Sequence, residues 1–151
     1  MKKSGPPPGL GVAPPEPAGL APAVNGRLIG RTRHGFVCAN AGVDASNASE
    51  PDSLVLLPLD PDASARALRA ALPGRPAVVV TDSFGRAWRQ GQCEVAIGVA
   101  GLAPLEDWRG LPDSAGREMH ATVIAIADEA AAASDLVRAK DSREPAVRIR
   151  G

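Results

Sequence analysis

From Arg27 onward, short apolar runs alternate with polar breaks, and each run predicts an element. Residues 27–31 and 35–39 predict two short extended pieces around a turn at His34-Gly35. Ser53-Leu-Val-Leu-Leu57 predicts a buried strand. Asp60 then suits a helix N-cap with Pro61 at the first helical position. Ala63, Ala67, Leu68, Ala71 and Leu72 give that helix one apolar face, and Pro73-Gly74 stops it. The continuous β-branched run in residues 76–81, Pro-Ala-Val-Val-Val-Thr, is the clearest strand, and residues 93–99 predict another. Gly, Pro and Asp make 101–116 a loop. A long helix is expected from Arg117 to Arg138, with Met119, Val123, Ile126, Ala127, Ala130 and Val137 at helical spacing. Arg138 and Lys140 suit the negative end of its dipole, and residues 145–150 read as a last strand.

This order of strands and helices lacks strict βα alternation. It predicts an α+β domain, a mixed sheet with two main helices. Residues 1–26 contrast with it, holding 7 of the 15 prolines and 5 of the 16 glycines. Proline lacks a backbone donor, and the stretch has too little apolar bulk to offset its ordering entropy, so a disordered Pro/Gly-rich leader is expected there. The structured domain is expected over 27–151.

Composition narrows the function. The 17 basic and 17 acidic residues cancel, which argues against nucleic acid, since phosphate backbones select basic domains. Cys38 and Cys93 form no CxxC or Cys/His cluster, which suits a reducing compartment and supports neither a disulfide scaffold nor a structural zinc. No apolar run is long enough to span a membrane, and Met1-Lys2-Lys3 leads into Ser-Gly-Pro-Pro-Pro rather than an apolar signal segment. A cytoplasmic protein with no membrane partner is expected.

Two polar constellations follow apolar strands. One is Asn40-Ala-Gly-Val-Asp44-Ala-Ser-Asn47, and the other is Thr81-Asp82-Ser83-Phe84-Gly85-Arg86-Ala87-Trp88-Arg89. Asp44 and Asp82 could supply hard oxygen ligands, with Ser83 adding a further oxygen. Such a sparse set suits Mg2+ or Mn2+ when phosphates complete the shell. Arg86 and Arg89 could face the same anionic substrate, because guanidinium matches phosphate or carboxylate as a fork. The plainer alternatives are turn chemistry for the Asp and Asn residues and solvation or ion pairing for the arginines. His34 and His120 read as hydrogen-bonded structural residues and Cys38 as a small core residue. Thr81-Asp-Ser-Phe-Gly85 is a near miss to a hydrolase elbow lacking its first Gly, leaving a small metal-dependent or serine hydrolase as a rival.

Taken together, Thr32-Arg-His-Gly-Phe-Val-Cys-Ala-Asn-Ala-Gly-Val-Asp-Ala-Ser-Asn47, Leu57-Pro-Leu-Asp-Pro-Asp62 and Thr81-Asp-Ser-Phe-Gly-Arg-Ala-Trp-Arg89 resemble the coenzyme F-420:L-glutamate ligase family, as do Val95-Ala-Ile-Gly-Val-Ala-Gly101 and Asp107-Trp-Arg-Gly110. The resemblance covers residues 27–151. It implies a GTP-dependent ligase of F-420 biosynthesis with GTP, L-glutamate and coenzyme F-420 as partners. The cofactor's terminal carboxylate would attack the γ-phosphate, and the glutamate amine would displace phosphate from the resulting acyl phosphate. By motif, Asp44 and Asp82 are expected as metal ligands, with Ser83, where the family often has Thr, ligating a second ion. Asn47 and Lys140 are expected to contact GTP, although Ala139 replaces a usual Gly. Mg2+ or Mn2+ is the implied cofactor, with a monovalent cation such as K+ a further expectation. The family's N-terminal region with its phosphate-binding Lys and its usual C-terminal stretch have no counterpart here, so a partial copy is expected. Such a chain would work as a homodimer or with a complementary N-terminal region, or persist as a non-catalytic fragment bound to a full-length relative.

Overall fold

The computed structural model describes residues 18–24, 27–46, 48, 50 and 52–150. The first sheet is antiparallel, with β1 (Ala18–Val24), β2 (Arg27–Arg31) and β3 (Val37–Ala39) in that order. β2 and β3 flank the turn expected at His34-Gly35, where Gly35 adopts a φ of 95°. β1 lies inside the stretch expected as a disordered leader, and residues 1–17 are outside the described residues. Its Ala21 pairs with Ile29, and β1 sits at the sheet's edge, the position where Pro22's missing donor is tolerated.

The second unit is a hairpin of β4 (Val78–Gly85) and β5 (Gln92–Ala100), with helices α1 (Pro61–Ala71) and α2 (Ile126–Asp135) packed on β5. α1 starts as expected: the Asp60 carboxylate accepts the Ala63 N–H at 2.7 Å, and Pro61 opens the helix. The buried face differs from expectation. Pro61, Ser64 and Ala65 turn inward, while Leu68 and Leu72 stay about half exposed. Small residues win because the helix lies almost on the strand backbone: a Cβ on Gly98 would fall 2.3 Å from the Pro61 carbonyl carbon. Ser64 tolerates burial because its hydroxyl donates to the Asp60 carbonyl at 3.1 Å.

A two-stranded sheet leaves free edges, and here the helices serve one of them. The Asp62 carboxylate of α1 accepts the Val99 N–H, and the Asp128 carboxylate of α2 accepts the Ala96 N–H, both at 2.8 Å. Each aspartate lies in its helix's first turn, where negative charge also suits the dipole. The contact layer is made of Ala65, Ile97, Ala100, Ala127 and Ala131. Among the described residues no large side chain is fully buried.

Three other expectations are corrected. Residues 53–57 form only an isolated bridge, Val55 to Asp44, with Leu54 and Val55 exposed. The helix expected from Arg117 begins at Ile126, because β-branched Val123–Ile124 forms β7, paired with β6 (Glu106–Asp107). Residues 145–150 have no strand partner among the described residues and form no strand. The α+β composition with two helices stands, but among the described residues every strand pairing is antiparallel, in three small sheets rather than one mixed sheet.

Candidate functional site

The β4–β5 register changes between Val80 and Thr81, where Val80 opposes Gly98 and Thr81 opposes Ala96. Ile97 is thus the extra residue of a bulge, and beyond it Asp82 opposes Val95 and Ser83 opposes Glu94. Asp82 and Ser83 therefore lie inside a paired strand, not in the loop that the sequence suggested.

Glu94 is buried, with 6% of its surface exposed. Thr81 Oγ1 donates to its Oε2 and Ser83 Oγ donates to its Oε1, both at 2.5 Å. The Arg138 guanidinium lies 3.5 Å from Oε2. Burial pushes the Glu94 carboxyl upward, but the hydrogen bonds from Ser83 and Thr81 and the charges of Arg138 and Lys140 outweigh it, so the group sits below the usual carboxylate range. Because Glu94 takes the Ser83 proton, the lone pairs of that hydroxyl remain available to a cation.

Asp82 shows the opposite balance. Burial raises its carboxyl, the Ser83 N–H works against that, and the negative charges of Glu94 and Asp44 raise it further. Asp44, on the loop after β3, is held low by the Ser46 hydroxyl and N–H, at 2.5 and 2.8 Å, with help from Lys140. Lys140 thus acts on Asp44, Asp82 and Glu94 alike. Cys38 on β3 is buried, and burial and the Asp82 charge push its thiol up, as befits an unreactive core cysteine.

The loop carrying Asp44 leaves β3 through a left-handed turn, with Asn40, Ala41 and Gly42 at φ of 52°, 51° and 76°. Such a run is costly for Ala41. Gly42 is needed twice over, since a Cβ there would also fall 2.6 Å from Leu57 Cδ1. On the hairpin's other side, a cavity of about 460 Å3 is lined by Ser83, Cys93, Glu94, Asp135, Arg138 and Lys140, among others.

The charges of Asp44 and Lys140 act on Asp82, while Ser83 shares with Lys140 the cavity on the strand face opposite to that of Asp82. Asn47 lies outside the described residues. Arg86 and Arg89 sit in the β4–β5 turn, exposed, where Arg86 donates to the Gln90 carbonyl and neither lines the cavity. Glu94 and Arg138 are participants the sequence reading missed. The available signal was a lone carboxylate in an apolar strand, since a buried charge must find partners. His34 donates from Nε2 to the Leu59 carbonyl at 3.1 Å, and exposed His120 faces Glu118, so neither imidazole is Ser83's hydrogen-bond partner.

A divalent cation fits this donor set. Asp82, whose proton affinity is raised by the Asp44 and Glu94 charges, Asp44 itself and a hydroxyl with free lone pairs are oxygen donors that positive charge would suit. No cluster of three or more His, Cys, Asp or Glu side chains is poised around one point among the described residues.

Comparison with known proteins places the chain. The sequence profile of the F420-0:Gamma-glutamyl ligase family matches residues 16–151, which takes in β1 as well as the segment from Arg27 on. The coenzyme F420:L-glutamate ligase of Methanothermobacter thermautotrophicus is 48% identical over 130 residues, covering 82% of this chain and 51% of that protein. Its namesake from Haloarcula marismortui is 46% identical over 128 residues, covering 82% and 49%. That of Natronomonas pharaonis is 51% identical over 124 residues, covering 82% and 48%. The chain spans about half the length of the curated relatives it matches, and it belongs to the F420-0:Gamma-glutamyl ligase family. No helix among the described residues is long and apolar enough to cross a membrane.

Proposed function

We propose that this chain forms the metal- and nucleotide-binding portion of a GTP-dependent ligase that joins L-glutamate to coenzyme F-420. The observation that carries the reading is the electrostatic coupling of Asp82, on β4, with Asp44, on the loop after β3, and with Lys140, which shares a cavity with Ser83. In a family whose relatives are named F420:L-glutamate ligases, that donor set suits an enzyme that must hold triphosphate oxygens.

Asp44, Asp82 and Ser83 would hold Mg2+ or Mn2+, whose chemistry here is to screen charge on the phosphate oxygens. Lys140 and Arg138 line the wall on which a polyphosphate would lie, and Glu94 keeps Ser83 and Arg138 in place. The terminal carboxylate of F-420 would attack the γ-phosphorus and release GDP. The amine of glutamate would then attack the acyl carbon, lose a proton and expel phosphate, leaving an amide. No protein nucleophile is needed, which suits a Ser83 hydroxyl committed to Glu94. Asn47 joins the nucleotide contacts in this reading, Arg86 and Arg89 are left for an acidic tail outside the cavity, and K+ for the phosphate region.

A second reading has its own support. The exposed Leu28, Val37, Leu54, Val55, Leu68 and Leu72, with no large side chain fully buried among the described residues, point to a surface completed by another polypeptide. That partner would be a second copy or a complementary N-terminal region, and without it the chain would bind but not turn over. Mass spectrometry of F-420 incubated with GTP, Mn2+, glutamate and the chain separates these readings. A product one glutamyl residue heavier supports the ligase in this chain alone. Product only after adding a complementary region supports the second reading, and none in either case contradicts both.

A further inference from the structure

A second cavity, of about 330 Å3, opens at the far end of the β4–β5 unit, between the C-terminal half of α1 and the end of β5. Arg66, Arg69 and Arg75 line it, over a floor of Ala70, Val99, Ala100 and Gly101, and no acidic side chain is in the lining. From Glu94 to Ala100 the strand runs about 20 Å at 3.3 Å per residue, so this cavity is separate from the one beside Ser83.

The arrangement is built rather than incidental. Gly101 has a φ of 85°, and a Cβ there would fall 2.3 Å from Arg69 Nε and 3.1 Å from its Cζ. The missing side chain is what lets the guanidinium lie against the strand. Arg69 Nε is buried there with no hydrogen-bond partner, an unsatisfied donor on a charged group. Arg75 follows Gly74 in the turn after α1 and takes a φ of 46°, unusual for a side chain of its size. Arg66 reaches back to Asp60 at 3.5 Å, but both side chains are about 60% exposed and the pair is weak. Asp62, the other acidic neighbour, is occupied by the Val99 N–H.

We infer that Arg66, Arg69 and Arg75 form an oxyanion site, distinct from the proposed metal site, that takes a phosphoryl or carboxylate group of a ligand. Three guanidinium groups around a pocket with an apolar floor offer forked donors and little competing negative charge, and oxyanions match that geometry. The reading does not depend on the ligase proposal, because it concerns a different cavity and a different test.

Calorimetric titration of the whole chain with inorganic phosphate, and separately with γ-linked triglutamate, tests it at low ionic strength without metal. Saturable binding of at least one anion is expected, weakening with added salt. The double substitution Arg66→Gln/Arg75→Gln, at two exposed positions, should lower that affinity at least about tenfold while the circular dichroism spectrum is unchanged. Phosphate binding alone marks a phosphoryl site and triglutamate binding alone a carboxylate site. No saturable binding of either anion by the folded chain, or binding that survives the double substitution, overturns the inference.

Discussion

The β4–β5 hairpin and the loop after β3 deliver the two carboxylates of the candidate site in contrasting ways. Asp82 sits in a paired strand, on a hairpin whose other strand carries two helices and has Ala96 and Val99 capped by their first-turn aspartates. Asp44 hangs from a left-handed turn, restrained by Ser46 and one bridge to Val55. Asp82 is thus held in a crowded, negative place it would not occupy unaided, whereas Asp44 is comfortable as an ion but loosely placed. A scaffold must be rigid where it stores an unfavourable charge, and it can stay adaptable where the charge is at ease.

The contrast can be broken most severely at Gly98. A Cβ there meets the Pro61 backbone, so Gly98→Ala should cost about 3 kcal/mol in denaturant unfolding, as overpacking against backbone does. Gly85→Ala on the same hairpin, where nothing lies within 4 Å, should change stability by less than about 0.5 kcal/mol. Equal effects at the two glycines would show that α1 is not seated on β5.

Removing either carboxylate should separate function from fold. Asp44→Asn and Asp82→Asn are each expected to weaken Mn2+ binding by about a hundredfold or more, and Glu94→Gln by about tenfold, as loss of a partner behind a ligand does. Electron paramagnetic resonance of free Mn2+ reads all three. Unchanged affinity in both aspartate variants would remove the metal site.

The two aspartates should part company in stability. Asp82 has a raised folded-state carboxyl, so its contribution to folding is favourable below the ordinary carboxylate range and is lost as pH rises through the raised value. At neutral pH its charge is a cost, and Asp82→Asn should raise the melting temperature of the metal-free chain. Asp44 is held low, so its contribution is present above the ordinary range and lost as pH falls; Asp44→Asn should not stabilise. A neutral-pH melting temperature that falls with Asp82→Asn would contradict the assignment. The smallest effect is expected at Ala41. Ala41→Gly relieves the left-handed conformation but loosens the unfolded chain, for a net gain of about 0.5 kcal/mol.

Local signals were legible in the sequence and relational ones were not. The Asp60–Pro61 helix start and the His34-Gly35 turn depend on neighbouring residues and formed where expected, and the β-branched strand expected over 76–81 formed over Val78–Gly85. Leu54-Val-Leu-Leu57 is apolar enough for a strand, but strand identity needs a partner, and only Val55 finds one. The helical spacing through 119–123 was overridden when β7 found β6. Asp44, Asp82 and Ser83 could be named from their motifs. Glu94 could not, because its importance comes from facing Ser83 across the hairpin beyond a bulge at Ile97.

The central claim is that Asp44 and Asp82, from unlike parts of the fold, hold one cation for a nucleotide. Calorimetric titration of GTP into the purified chain, with Mn2+ and then with chelator, tests it most directly. Saturable binding with Mn2+ that disappears in chelator, and is lost in Asp82→Asn, is the predicted result. GTP binding that is indifferent to both chelator and Asp82→Asn would contradict it.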